Sequence, residues 1–509
     1  MEHLKDSHVL ILGLGSSGLA MARWCAEQGT RITVVDTRAQ PPGLAQLQAD
    51  APAARFKQVE SFSADLVQGT DVRAICRSPG LSPEKIAPVL EASRAIGIRT
   101  WGELDLFLMA LQQLKATQQY EPQILAITGT NGKTTVTSLT GQLVERAGKT
   151  VAIAGNIGPT LLDTLNERTL AQTLPQVWVL ELSSFQLDGV EDFMPTMGVV
   201  LNLTQDHLDW HGDMASYGAA KARIFGAHAI TAPAMLLNRD DEAVLAMRPP
   251  LIKGKSQRID MTFGTDLPQR PGDYGLETVN GMTWLVRALE ADETQKRRRG
   301  DKGDEVEIHL QRLIPADALR IRGRHNALNA LAALALASAA GCSLSPMLYG
   351  LREYRGEPHR VEPIAMIREV EFFDDSKGTN VGATAAALSG LGADRKIVVI
   401  LGGEGKGQDF SPLAQPVSLY VRSVVLIGRD APLIAQALQG SGVAQHTAST
   451  LEEAVQYAAA QAKPGDAVLL SPACASFDMF KDYEHRAQMF RAAVQDLADE
   501  AGASMESLA

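Results

Sequence analysis

One pattern repeats along this 509-residue chain. A short apolar, β-branched run stops abruptly at glycine or at a polar cluster, and a helical pattern follows. The runs are VLILGLG from Val9, ILAITGTNGKT from Ile124, VWVLELSS from Val177 and GVVLNLTQDHLD from Gly198; later come IVVILGGEGK from Ile397, VVLIG from Val424 and AVLLSPACAS from Ala467. Runs that are apolar without alternation fit strands buried on both faces, as in parallel sheets covered by helices. In open sheets of that kind ligands collect at the carboxyl ends of the strands. The polar residues that end these runs are therefore where chemistry is expected.

The length predicts about three domains. Between Arg258 and Leu313 the strand-helix alternation lapses, and LETVNGMTWLV carries Asn280-Gly281, a hairpin turn signal. The charged run Lys296–Asp304 reads as a solvated loop, because acids are interleaved with the bases. The alanine-rich stretch from Asn326 to Ala340 predicts a long helix. Boundaries are expected near Gln112, where a polar stretch precedes the next strand, and near Gly356-Glu357-Pro358. The expected domains are then residues 1–111, 112–356 and 357–509.

A net charge of -11 excludes a general nucleic-acid binder, which needs a basic surface. It leaves room for anionic small substrates, which need only a few placed cations. Cys25, Cys76, Cys342 and Cys474 form no CxxC pair and read as reduced, buried thiols. The N-terminus reads as a buried strand and not as a secretory leader. No apolar stretch approaches the ~18 residues of a membrane helix. A cytoplasmic protein without membrane insertion is expected.

The most informative segment is Thr128-Gly129-Thr130-Asn131-Gly132-Lys133-Thr134-Thr135, between a strand and a helix that presents Val136, Leu139, Leu143 and Val144 on one face and stops at Gly148. Glycines there let backbone N–H groups converge on phosphate oxygens at a helix N-terminus. Lys133 would neutralise the β- and γ-phosphates, and the Thr134 hydroxyl is placed to ligate Mg²⁺. The segment departs from the usual phosphate loop in having Ile127 where the first glycine is expected. Glu181 and His207 end the next two apolar runs, and strand-end residues of these types suit a cation beside ATP.

A second nucleotide signal lies at Gly13-Leu14-Gly15-Ser16-Ser17-Gly18, with Asp36 ending the following strand. It fits NAD or a UDP group equally. A dehydrogenase has no need of a second, ATP-type loop, which decides against hydride transfer.

TGTNGKTT, ELSSFQL, TQDHLDWHG, GRHNALNALAAL, GEPHRVE, DDSKGTN, LGGEGKGQDF and SPACASFDMF occur in that order. Together they resemble the Mur ligases of peptidoglycan synthesis, from Val9 to about Arg486. TGTNGKT alone would also fit folylpolyglutamate synthase, and a folate ligase is the alternative. The resemblance, with the strand pattern, predicts an α/β fold of three domains: a Rossmann-like N-terminal domain, a central ATPase domain of phosphate-loop type with an antiparallel extension, and a Rossmann-like C-terminal domain. DDSKGTN and SPACASFD match the branch that adds D-glutamate to UDP-N-acetylmuramoyl-L-alanine through an acyl phosphate.

The same resemblance implies the cofactors, ATP and two Mg²⁺ ions, and a role for each site residue. By that likeness Gly129 to Thr135 hold the phosphates, Thr134 and Glu181 one Mg²⁺, and His207 the other, with Lys221 as a carbamate ligand. On its own Lys221 reads as an exposed helix lysine. The likeness further implies that Asn326 and Asn329 face the adenine, Asp375 the ribose, and that Arg360 reaches back to the phosphates. For D-glutamate it implies a site of Lys377, Thr379, Lys406, Ser476 and Tyr483, Tyr483 standing where phenylalanine is frequent. It places Asp36, Thr37 and Arg38 at the uracil, Gly15, Ser16, Ser17 and Gly18 at the diphosphate and Asn156 at the muramoyl-alanine end, and counts Ser78 among the substrate contacts.

Overall fold

A computed structural model describes residues 5–226, 234–250, 259–291, 307–393 and 395–502. The charged run Lys296–Asp304 lies outside the described residues. The described residues form two compact units, one of those within 1–203, 207–262 and 332–347, the other of those within 204–206, 263–331 and 348–509.

The first unit opens with strands β1 (His8–Leu12), β2 (Arg31–Asp36), β3 (Arg55–Gln58), β4 (Val72–Arg77) and β5 (Arg99–Trp101). They form a parallel sheet in the order β3-β2-β1-β4-β5. β1 shows why its sequence is apolar throughout. Val9 and Ile11 enter one core and Leu10 and Leu12 another, on the opposite face.

The same unit continues with β6 (Gln123–Thr128), β7 (Val151–Gly155), β8 (Val177–Glu181), β9 (Met197–Val200) and β10 (Ala234–Asn238), parallel in the order β10-β9-β6-β8-β7. β6 has a strand on each side, so the loop after Thr128 emerges at the middle of the sheet. The helix Glu103–Gln118 packs Leu104, Phe107, Ala110 and Leu111 into the core that also holds Trp178 of β8, the Phe107 and Trp178 rings lying edge to face at 5.1 Å. This helix runs through Gln112, near which the first boundary is expected. The polar stretch there is the solvent-facing end of an unbroken helix.

β11 (Asp260–Phe263) leads into the second unit, where β12 (Tyr274–Val279), β13 (Met282–Glu290) and β14 (Ile308–Pro315) form an antiparallel meander. Asn280 and Gly281 both adopt positive φ, +51° and +80°, at the β12–β13 turn, as the hairpin signal required. The long helix is Arg324–Ala339. The last sheet comprises β15 (Glu362–Ile367), β16 (Val370–Asp374), β17 (Ile397–Gly402), β18 (Val421–Ile427), β19 (Ala444–Thr447) and β20 (Ala467–Leu470), ordered β15-β16-β20-β17-β18-β19 and parallel except for edge strand β15. All four cysteines are buried and unbridged. Among the described residues no helix is long and apolar enough to cross a membrane.

Candidate active site

The loop after β6 is held from both sides. Gly129, at φ +155°, passes so close to the exit of β9 that a Cβ there would lie 2.9 Å from Leu201 Cβ. Asn131 and Asn202 exchange hydrogen bonds, Asn131 N–H to the Asn202 side-chain oxygen at 2.8 Å and Asn202 Nδ2 to the Asn131 carbonyl at 3.0 Å. Lys133 starts the helix Lys133–Arg146 and folds back to donate to the Gly129 and Thr130 carbonyls, each at 2.9 Å.

Lys221 arrives at the same point from the helix Met214–Ala222. Its Nζ donates to the Gly129 carbonyl at 2.9 Å and to Thr128 Oγ1 at 3.4 Å. The expectation of an exposed lysine is therefore corrected: Lys221 is 2% exposed, on the face of its helix that also buries Tyr217, Gly218 and Ala220. Two ammonium groups thus share one carbonyl oxygen. Tyr217, one turn before Lys221, puts its ring 4.6 Å from that Nζ and its hydroxyl 3.1 Å from Thr130 Oγ1.

Glu181 ends β8, beside β6, and is 1% exposed. Asn156 Nδ2 donates to its Oε1 at 3.1 Å, while Oε2 is buried with no hydrogen-bond partner among the described residues. An ionised oxygen in that state is costly unless a cation meets it. With Thr134 buried on the adjoining helix, the donor set fits a hard, oxygen-preferring ion such as Mg²⁺. His207 needs a correction of place. β9 stops at Val200, and His207 sits beyond it at φ +54°, opening the short helix Leu208–His211. Its ring packs against Phe185, 4.8 Å away, and Tyr217, 6.2 Å away. His211, from the same turn, bonds Ser184 Oγ at 2.9 Å; burial lowers its pKa to about 4.

A cavity of ≈ 460 Å³ lies in the same unit, lined by Ser16, Ser17 and Gly80 on one side and Gly155, Asn156 and Phe185 on the other. The turn that presents Ser16 is close-packed: a Cβ on Gly18 would sit 2.1 Å from the Gly13 carbonyl, and one on Gly13 3.0 Å from Ser78 Cβ. Gly15 leaves open space, and Ser78 is buried beneath. Asp36 accepts from Leu14 N–H at 2.8 Å and pairs with Arg38 through two bonds of 2.9 and 2.7 Å. Burial opposes its ionisation, yet the bonds from Arg38 and Leu14 hold its pKa down at about 2. Thr37 and Arg38 are exposed.

The remaining expected residues belong to the second unit. Asn329 Nδ2 bonds Asn326 Oδ1 at 3.0 Å, and Asn326 Nδ2 bonds the Arg322 carbonyl at 2.8 Å. Asp375 is buried, accepts from Ser471 Oγ at 2.6 Å and feels the Arg360 charge; burial nevertheless pushes its pKa up to about 7. Lys377 Nζ lies 3.7 Å over the Tyr483 ring, whose hydroxyl bonds Glu484 at 3.0 Å. Lys406, at φ +52°, stands 5.5 Å over Phe477. Ser476 is buried, and Thr379 sits on the DDSKGTN loop, its N–H bonded to the Lys377 carbonyl.

Comparison with known proteins adds a second line of observation. Residues 7–102 match the Mur ligase MurD-like N-terminal domain, 127–337 the Mur ligase middle domain and 359–474 the Mur ligase glutamate ligase domain. A UDP-N-acetylmuramoylalanine--D-glutamate ligase of Albidiferax ferrireducens is 66% identical over 100% of both chains. The chain belongs to the Mur ligase family. A protein of the same name from Polaromonas sp. is 58% identical over 99% of this chain and 100% of its own. The MurF ligase of Thermotoga maritima, solved in complex with ADP, is 14% identical and superposes with a TM-score of 0.55 over 98% of this chain and 97% of its own. The three-domain α/β architecture expected from the resemblance and the strand pattern is that of the Mur ligase fold.

Three residues of this Mur ligase passed unnoticed in the sequence. Asn202 is two residues past β9, where a strand-end polar group could have drawn notice. Tyr217 is spaced i,i+4 from Lys221. Arg486, 0% exposed on the helix Tyr483–Glu500, donates to the Cys474 carbonyl at 3.1 Å and the Ser376 carbonyl at 2.8 Å, tying SPACASFD to DDSKGTN. An arginine on an apolar helical stripe, with Ala487 and Phe490, was its only local signal.

Proposed function

We propose that this Mur ligase joins D-glutamate to UDP-N-acetylmuramoyl-L-alanine in the cytoplasm, at the expense of ATP, releasing ADP and phosphate. The relatives that match it from end to end carry that activity in their names. One chain of contacts carries the reading. Asn156 lines the cavity and bonds Glu181; Glu181 lies beside β6; β6 runs into the loop where Lys133 and Lys221 meet on Gly129. A carboxylate bound in the cavity and a nucleotide phosphate on the loop would be neighbours.

The substrate carboxylate attacks the γ-phosphorus of ATP, the bond to the β,γ-bridging oxygen breaks, and an acyl phosphate and ADP form. The amine of D-glutamate then attacks the acyl carbon, loses a proton and expels phosphate. Phosphoryl transfer asks for positioning and charge neutralisation more than for covalent chemistry. Lys133, tethered to the Gly129 and Thr130 carbonyls, is in place to shift onto phosphate oxygens. Mg²⁺, when bound, supplies further neutralisation of the phosphates; Thr134 and Glu181 would hold one ion, His207 and carbamylated Lys221 another. Asn326, Asn329, Asp375 and Arg360 are assigned to the nucleotide. Lys377, Thr379, Lys406, Ser476 and Tyr483 are assigned to D-glutamate, whose two carboxylates suit the two lysines.

The test is phosphate release from ATP and UDP-N-acetylmuramoyl-L-alanine with a panel of amino acids. Release that depends on D-glutamate is the expected result. Release that appears only with a folate and L-glutamate rejects the assignment.

A further inference from the structure

Two helices turn their N-terminal ends toward the cavity. Ser16–Glu27 supplies Ser16 and Ser17 to its wall, and Leu161–Leu170 follows the lining residues Pro159 and Thr160. Each helix end carries partial positive charge and unpaired N–H groups. A substrate with one diphosphate would have two places to put it.

The fold treats the two ends differently. The Ser16 helix has no acidic residue in its first turn and no side-chain cap. The Leu161 helix has Thr160 accepting from Asp163 N–H, with Asp163 itself in the first turn. It also receives a carboxyl group from elsewhere in the chain. Glu103, first residue of the helix Glu103–Gln118, is 2% exposed, and its Oε1 accepts from Leu162 N–H at 3.1 Å. Its other oxygen, Oε2, is buried with no hydrogen-bond partner among the described residues. Arg23 braces the arrangement, reaching from the Ser16 helix to both oxygens of Asp163 at 3.2 and 3.1 Å.

We infer that Glu103 is a positioning residue for the UDP-linked substrate: with Thr160 it occupies N–H groups at the N-terminus of the Leu161 helix, so that the diphosphate is received at the Ser16 helix. A buried carboxylate beside an anion site would ordinarily repel the ligand. Here burial disfavours the charged form of Glu103, and its one bond falls on Leu162 N–H of the competing helix. The inference rests on the cavity being the UDP-substrate site, as proposed above.

The test combines steady-state kinetics with direct titration of UDP into the full-length enzyme. Glu103→Ala removes every acceptor at once. It should raise KM for UDP-N-acetylmuramoyl-L-alanine and Kd for UDP by about tenfold, the scale of losing one buried hydrogen bond. The ATP KM and kcat should stay within about threefold, which is under 1 kcal/mol. Glu103→Gln keeps an accepting oxygen and puts its amide where Oε2 has no partner, so its KM should lie near wild type. If Glu103→Ala fails to fold, Glu103→Asp, a methylene too short to reach Leu162, should show the same UDP-specific loss. Unchanged UDP affinity in Glu103→Ala, equal losses for all substrates, or a Gln variant as impaired as Ala would each overturn the role of Glu103. A wild-type protein that binds no UDP overturns the reading of the cavity itself, and the role of Glu103 with it.

Discussion

Lys221 concentrates the chemistry of the site in one side chain. Its Nζ and that of Lys133 both stand 2.9 Å from the Gly129 carbonyl oxygen, and Lys221 is nearly sealed from water. Two ammonium groups so placed repel each other, and a free ammonium would repel a divalent cation as well. Carboxylation of Nζ removes both conflicts, because it replaces a cation with an anionic oxygen ligand. Lys221→Ala is accordingly expected to lose about 10²-fold or more in kcat, the scale of removing one preorganised electrostatic contact. Part of the activity should return with added formate, which can occupy the vacated space as an oxygen ligand. Lys221→Arg keeps the charge but cannot be carbamylated, so it should be as poor as the alanine variant without rescue. Measured turnover at the wild-type rate in Lys221→Arg would exclude the carbamate.

At the scale of elements, the strand ends are what hold the site in register, and Gly155 shows how little slack they have. It ends β7 at φ +125°, and a Cβ there would lie 2.1 Å from the Glu181 carbonyl oxygen. Gly155→Ala must push β7 from β8 at the residue that also receives Asn156. A loss of roughly 1–3 kcal/mol in unfolding free energy is expected, with a raised KM for the UDP-linked substrate. Gly148→Ala is the control. It also has positive φ, +83°, but faces open space, so a loss of about 1–2 kcal/mol in stability with unchanged kinetics is expected. Urea unfolding and initial rates on the two variants separate the effects. Elements of this kind were legible in the sequence wherever the pattern is local: apolar runs for β1, β6 and β8, Asn280-Gly281 for the hairpin, Gly148 for a helix stop. The misreadings are tertiary. Lys221 is buried because a short helix rich in small residues lies flat on the phosphate loop, which no period reveals. His207 lies past its strand in a left-handed turn.

The stability of the whole molecule between about pH 4 and pH 7 depends on buried groups that pull in opposite directions. Burial lowers His325 to about 4; its Nδ1 has no partner among the described residues and lies against Gly323 and Gly390. Burial raises Asp375 to about 7. An unfolded histidine takes its proton below about pH 6.5, while the folded ring resists until about 4, so its contribution is full above 6.5 and shrinks as pH falls through that window. An unfolded aspartate loses its proton above about pH 4, while folded Asp375 keeps it to about 7. Its contribution therefore shrinks as pH rises. Each imbalance of one proton is worth up to about 1.4 kcal/mol per pH unit. Asp375→Asn, which keeps an acceptor for Ser471, should gain stability relative to wild type as pH rises from 4.5 to 6. His325→Gln should lose stability relative to wild type over the same interval. Denaturant unfolding at four pH values reads both slopes. Equal slopes for the two variants would mean that these groups do not titrate as their burial requires, and that the balance lies with others such as Asp105, raised to about 6, and His211, lowered to about 4.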